Sequence, residues 1–360
     1  MILQKLNICA NSGKFLILFI LSSLMFLVGC GNTTQTNNSD ATNNLTGNET
    51  VNSSSNQSNY MPANGENRPG MMNKSSVDTS GINTKYLDIS YGSVSDSQKL
   101  DIYLPNEGNG PFPLIIEIHG GGFMFGDKSQ QIGPMLKALE QGYAVASVNY
   151  RHSGEAVFPA AINDVKAAIR FLRANSGTYN LNPDAFATWG GSAGGNLSAL
   201  AATSAGGPIG ENDNLYNIDI SDKVQAAIDW YGPVSFDTMD TEFTQLGITQ
   251  LMGTTSAEGS AESKYLGEVV GSEKAKPLVD ATNPATYIDS NDPAIFFQHG
   301  SVDANVPYLQ SQNLSDALGK VIGSENATFE LIQGAAHGGS EFETQENIDK
   351  IINFLNKYLK

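Results

Sequence analysis

Apolar positions along this chain follow two rhythms that alternate. Continuous or period-two apolar runs at Leu114 to Ile118, Ala144 to Val148, Ala185 to Trp189, Val224 to Trp230, Ala294 to Gln298 and Thr328 to Ile332 read as strands. Between them the spacing changes to that of helices. Pro159 to Ala174 puts Ile162, Val165, Ala168, Ile169 and Leu172 on one face, and Gln345 to Leu359 does the same with Ile348, Ile351, Ile352 and Leu355. Further helices are expected at Ile132 to Gln141, ended by Gly142, at Asn196 to Thr203, and at Tyr308 to Val321. Two half-exposed strands, Lys85 to Tyr91 and Leu100 to Leu104, come first with no helix between them, which predicts an antiparallel N-terminal edge. Strands alternating with helices give the α/β class: a mostly parallel sheet with helices on both faces. Residues 236–291 break the rhythm without a clear strand and are expected to add helices or a cap near the strand ends.

Glycine marks the place where this pattern acquires chemistry. Gly190-Gly191-Ser192-Ala193-Gly194 follows the strand at Ala185 to Trp189 directly and leads into a helical run. This is the G-x-S-x-G layout of a nucleophile elbow, in which a buried strand turns sharply into a helix. Side chains at Gly190 or Gly194 would crowd the neighbouring strand and helix, while Ser192 stands clear and the Ala193 amide points at a developing oxyanion.

The amino terminus has a different composition. Lys5 and Lys14 precede the apolar run Phe15 to Val28, which is shorter than the about twenty residues of a membrane span, and Leu27-Val28-Gly29-Cys30 follows. Residues 1–29 therefore read as a signal peptide whose end resembles a prokaryotic lipobox. That resemblance implies that Cys30 becomes the lipidated first residue, and it predicts an extracytoplasmic protein anchored to the membrane through that lipid alone. Residues 30–83 are rich in Asn, Ser and Thr and read as a flexible tether, leaving 84–360 as the folded domain. The chain has two cysteines, Cys9 and Cys30, so cleavage before Cys30 leaves no intrachain disulfide and the fold rests on its core. A net charge of −17 argues against nucleic acid and anionic lipid as partners.

A serine at an elbow needs a base, and the base needs a third group to fix its tautomer. Of the four histidines, His119 lies in a glycine run at a strand end, His152 in a polar turn, and His299 at a strand terminus where a structural hydrogen bond is the expected role. His337 sits in the small-residue loop Gly334 to Gly339 just after the last strand, free to reach over the sheet edge. Asp303 leaves the preceding strand on its outgoing loop. Its competitors Asp289 and Asp292 precede that strand, and Asp316 falls inside a helix. The amides of Gly121 and Gly122, together with that of Ala193, are expected to form an oxyanion hole. Asp164 and Arg170 read as an ion pair or solvated positions on an otherwise apolar helix. Trp230 and Tyr231 are core residues or walls of an acyl pocket.

These segments together resemble the α/β-hydrolase superfamily from about Leu100 to His337. More narrowly the chain is similar to esterases related to hormone-sensitive lipase and to bacterial feruloyl/acetyl-xylan esterase-like enzymes. The resemblance rests on Asp101 to Pro105, His119 to Phe123 with Gly126-Asp127-Lys128, Asn149-Tyr150-Arg151, Phe158 to Arg173, Trp189 to Asn196 and His299 to Pro307. His152 departs from it, since relatives usually carry an apolar residue there. It implies Ser192, Asp303 and His337 as a triad, no metal and no cofactor. The expected activity is a serine carboxylic-ester hydrolase acting through an acyl-enzyme on short-chain or aryl esters, extending to acetyl or feruloyl groups on polysaccharide. A serine peptidase of the same fold, or a non-catalytic adhesion protein on this scaffold, are the alternatives.

Overall fold

A computed structural model describes residues 76–206, 209 and 217–360. The expected signal peptide, Cys30 and the part of the expected tether up to residue 75 lie outside the described residues. Eight strands form one sheet: β1 (Lys85–Ser90), β2 (Lys99–Tyr103), β3 (Phe112–Ile118), β4 (Ala144–Val148), β5 (Leu181–Gly191), β6 (Ala226–Trp230), β7 (Ala294–Gly300) and β8 (Ala327–Ile332). Their spatial order is β1-β2-β4-β3-β5-β6-β7-β8. Strand β2 runs antiparallel to both β1 and β4, and every pairing from β4 to β8 is parallel. The expected antiparallel N-terminal edge is present.

Period-two alternation explains how one sheet carries two cores. Leu114, Ile116 and Ile118 of β3 face one layer, into which α2 (Ala160–Ala174), α3 (Ala193–Thr203) and α7 (Leu309–Ile322) pack with Ile162, Val165, Leu197, Leu200, Leu314 and Leu318. Ile115 of β3 with Ala226, Ile228 and Trp230 of β6 faces the other. There α8 (Gln345–Leu359) supplies Ile348, Ile351, Ile352 and Leu355, joined by Met135 of α1 (Gly133–Leu136). No helix among the described residues is long and apolar enough to cross a membrane.

Several boundaries differ from the sequence reading. The helix expected over Ile132 to Gln141 is the short α1 followed by a 3₁₀ turn, Lys137–Gln141, which ends as expected at Gly142 with φ 77°. Helix α3 begins at Ala193, immediately after the elbow, rather than at Asn196. The 236–291 segment holds α4 (Met239–Leu246), α5 (Ala261–Leu266), α6 (Lys276–Thr282) and a 3₁₀ turn at Pro284–Tyr287, and no strand.

The sheet order positions the site. Strand β3 pairs with β4 on one side and β5 on the other, so the chain reverses its winding direction between them. Loops leaving two parallel strands on either side of such a switch diverge and open a crevice beyond their carboxyl ends. The glycine run leaves β3 and Ser192 leaves β5 at that point. Asp303 and His337 leave β7 and β8 at the same edge.

Candidate active site

Ser192 adopts φ 57° and ψ −124°, a strained conformation for a residue with a side chain. Its amide donates to the Trp230 carbonyl at 2.9 Å, which ties the turn to β6. The flanking glycines are steric requirements. A Cβ on Gly194 would lie 1.9 Å from the Ile118 carbonyl oxygen, and one on Gly190 would lie 2.2 Å from the Gly194 carbonyl oxygen.

The structure brings the three side chains chosen from the sequence into one line. Ser192 Oγ and His337 Nε2 are 2.8 Å apart, and His337 Nδ1 and Asp303 Oδ2 are 2.7 Å apart. Since Asp303 is ionised, Nδ1 carries the proton and donates it, which leaves Nε2 as the acceptor for the serine hydroxyl. Asp303 is fully buried. Burial pushes its pKa up, but the His337 imidazole and hydrogen bonds from His299 and His337 outweigh this and hold it well below the usual carboxylate range. Its other oxygen, Oδ1, accepts from the amides of Asn305 and Val306 at 2.8 and 2.9 Å.

His299 makes the structural hydrogen bonds expected from the sequence, and one of its partners is Asp303. It lies in β7, fully buried, with Nε2 at 3.2 Å from Asp303 Oδ2 and 3.0 Å from the Val306 carbonyl. Both neighbours are acceptors, so Nε2 is protonated and Nδ1 takes the Ser311 hydroxyl at 2.8 Å. Asp303 is therefore gripped by two imidazoles. The signal was present as His299 and Asp303 four residues apart across a strand end, but only the turn of the chain at Gly300 aims them at each other.

On the opposite side of Ser192 stands the glycine loop. The Gly120 amide is taken by Gln131 Oε1 at 2.9 Å. Those of Gly121, Gly122 and Ala193 donate to nothing among the described residues. Gly121 has φ 115°, and a Cβ there would lie 2.1 Å from the Phe125 carbonyl oxygen. Phe123 anchors the loop by stacking on Tyr265 with ring centroids 3.8 Å apart.

The remaining candidates separate cleanly. His119 is buried, its Nδ1 donating to the Gly120 carbonyl at 2.8 Å, and burial lowers its pKa to about 4, so it stays neutral. His152 packs edge-on to the His119 ring. Trp230 belongs to the core, with Nε1 donating to Gln298 at 2.7 Å. Tyr231 lies at the site instead: it holds φ 45°, and its ring centroid is 4.8 Å from that of His337. Asp164 is indeed structural, though its partner is Arg151 at 2.9 Å, and Arg170 pairs with Asp222 at 3.1 Å.

The BD-FAE family model matches residues 100–318, which span the glycine loop, the elbow and Asp303. The chain belongs to the BD-FAE family. Similar proteins include the probable carboxylic ester hydrolase LipM of Mycobacterium tuberculosis, 32% identical over 65% of this chain and 52% of the relative, and the esterase LipQ of the same organism, 32% identical over 69% and 56%. The chain thus spans about half the length of these curated relatives. Among solved structures, a truncated form of a carbohydrate esterase from gut microbiota superposes with a TM-score of 0.68 at 31% identity, covering 79% of this chain and 99% of the other. The BD-FAE chain has the α/β-hydrolase fold, which esterase 2 of Thermogutta terrifontis also shares at 21% identity and a TM-score of 0.57.

Proposed function

We propose that this BD-FAE protein is a serine carboxylic-ester hydrolase that removes acetyl or other short acyl groups from carbohydrate. The observation that carries the reading is the continuous hydrogen-bonded path from Ser192 through His337 to Asp303, beside three amides with no partner among the described residues. The esterase relatives and the carbohydrate esterase of similar structure support the substrate class.

In this mechanism Ser192 Oγ attacks the ester carbonyl as its proton passes to His337 Nε2. Asp303 stabilises the imidazolium through Nδ1. The tetrahedral oxyanion is held by the amides of Ala193, Gly121 and Gly122. His337 then returns the proton to the departing alcohol oxygen, leaving an acyl-enzyme. Water, deprotonated by His337, attacks the acyl carbonyl, and collapse releases the acid and restores the Ser192 hydroxyl. At the amino terminus the basic start, apolar run and Cys30 support a lipid-anchored, extracytoplasmic enzyme with a tether before its catalytic domain. Residues 236–291 act as its cap.

The test is Ser192→Ala assayed on p-nitrophenyl acetate. Turnover should fall by at least about 10⁴-fold with the thermal transition preserved. Wild-type turnover in that variant, or no labelling of Ser192 by a fluorophosphonate, rejects the assignment.

A further inference from the structure

Helix α5 of the 236–291 segment is docked on the loop that carries the two glycine amides. A Cβ on Gly122 would sit 3.2 Å from the Ala261 Cβ, and Tyr265 one turn on stacks against Phe123 of the same loop. Ser260 caps the helix by accepting from the Ser263 amide at 3.0 Å, which fixes its first turn. Glu262 belongs to that turn and is half-buried.

Two acids of this segment have opposite surroundings. Asp240 is saturated: it accepts from Gln250 at 2.8 Å, from the Thr255 amide at 2.7 Å and from the Ser256 hydroxyl at 2.8 Å. The described residues give the Glu262 carboxylate no donor besides its own backbone amide. Burial raises its pKa, and the charge of Asp240 adds to this, while His337 acts the other way. Glu262 follows Ala261, the residue of α5 that meets Gly122, and lies within electrostatic reach of the imidazole that serves Ser192. A half-buried acid with spare acceptor capacity near a reacting centre can take donors from a bound substrate.

We propose that Glu262 is a specificity-determining residue that accepts hydrogen bonds from hydroxyl groups of the sugar bearing the ester. The inference rests on the esterase reading and narrows it. A carboxylate has two acceptor oxygens spaced to take both hydroxyls of a vicinal diol, and it repels substrates whose alcohol portion is anionic. Phe125, on the glycine loop, is 48% exposed and offers an aromatic surface of the kind that packs against the apolar face of a pyranose. A quaternary ammonium ester would also suit an acid and an aromatic ring carried on two touching elements, so the two alcohols must be compared directly.

The experiment measures kcat/KM for p-nitrophenyl acetate, a mono-O-acetylated methyl β-xylopyranoside and acetylcholine, in wild type, Glu262→Gln and Glu262→Ala. The expected result is a fall in the xyloside to p-nitrophenyl acetate ratio of about ten- to a hundred-fold in Glu262→Ala. Glu262→Gln, which retains one acceptor oxygen and the side-chain shape, should lose less. Unchanged ratios in both variants overturn the proposal. So does a wild-type preference for acetylcholine that Glu262→Gln abolishes. Turnover of p-nitrophenyl acetate without any of the xyloside sinks the sugar inference and leaves the esterase reading standing, whereas no turnover of any ester removes both.

Discussion

At Asp303 one carboxylate oxygen faces two imidazoles, His337 at 2.7 Å and His299 at 3.2 Å. The division of labour follows from exposure. His299 is fully enclosed, whereas His337 retains contact with solvent and with Ser192. His299 acts through Asp303 as a positioning residue: its donor spreads the carboxylate charge and fixes the rotamer. Replacing it by Leu removes that donor, so the Asp303 charge is concentrated on its contact with His337. The acid limb of the kcat/KM profile for p-nitrophenyl acetate should then move to higher pH. A profile superimposable on wild type, with only a lowered Tm, would show that His299 merely packs. A second residue-scale prediction concerns Asp164, which accepts from Arg151 Nε and Nη2, the Arg151 amide and Gln98. Asp164→Asn removes the buried charge on which these donors converge and should cost about 3–5 kcal/mol in urea unfolding.

At the scale of elements, the site is made by strand ends and the turns that leave them. The turn between β5 and α3 works because Gly190 and Gly194 let the strand, the elbow and the Ile118 carbonyl approach within contact. Gly194→Ala should destabilise the fold by about 1–3 kcal/mol, read from denaturant midpoints, because backbone and not a flexible side chain is in the way. The loop after β3 has a different constraint. Gly121 needs both its positive φ and the absence of a Cβ, so Gly121→Ala should shift the loop and lower turnover by about 10²–10³-fold, the usual cost of losing an oxyanion donor. If the variant keeps full kcat, these amides do not hold the oxyanion. Of this local chemistry, the G-x-S-x-G run and the triple glycine were legible as sequence because only glycine fits such turns. The helix boundary at Ala193 was not, since a Gly-rich start has weak intrinsic helix propensity and tertiary packing overrides it.

For the molecule as a whole, pH couples to stability through buried acids of opposite shift. Asp303 has a depressed pKa, so its contribution is complete above the ordinary carboxylate range and is lost as pH falls through its folded value. Glu117 behaves in reverse. It is fully buried on β3, and burial raises its pKa to about 8. Ser147 has one hydroxyl proton, and its oxygen lies 2.6 Å from the Lys128 carbonyl, which can only accept. The contact between Ser147 Oγ and Glu117 then requires Glu117 to be the donor, hence protonated. The unfolded chain ionises Glu117 near pH 4.3 while the folded chain holds its proton to about 8. Stability from this residue therefore declines as pH rises across that window. Glu117→Gln keeps a donor without the titration and should flatten the fall in Tm between pH 5 and 8. An unchanged slope would exclude Glu117 as its source.

The sequence by itself determined the α/β alternation, the antiparallel edge, the serine turn and the candidate set of Ser192, Asp303 and His337, because period, glycine geometry and strand-end position are local properties. Tertiary structure decided what depends on long-range closure. It aimed His299 at Asp303, gave Asp164 to Arg151 rather than Arg170, buried Trp230 while bringing Tyr231 to His337, and docked helix α5 on the glycine loop. Each of these requires side chains from separate strands or from the 236–291 helices to share one volume. No periodicity in the chain encodes that, because it follows from the order in which the strands lie side by side.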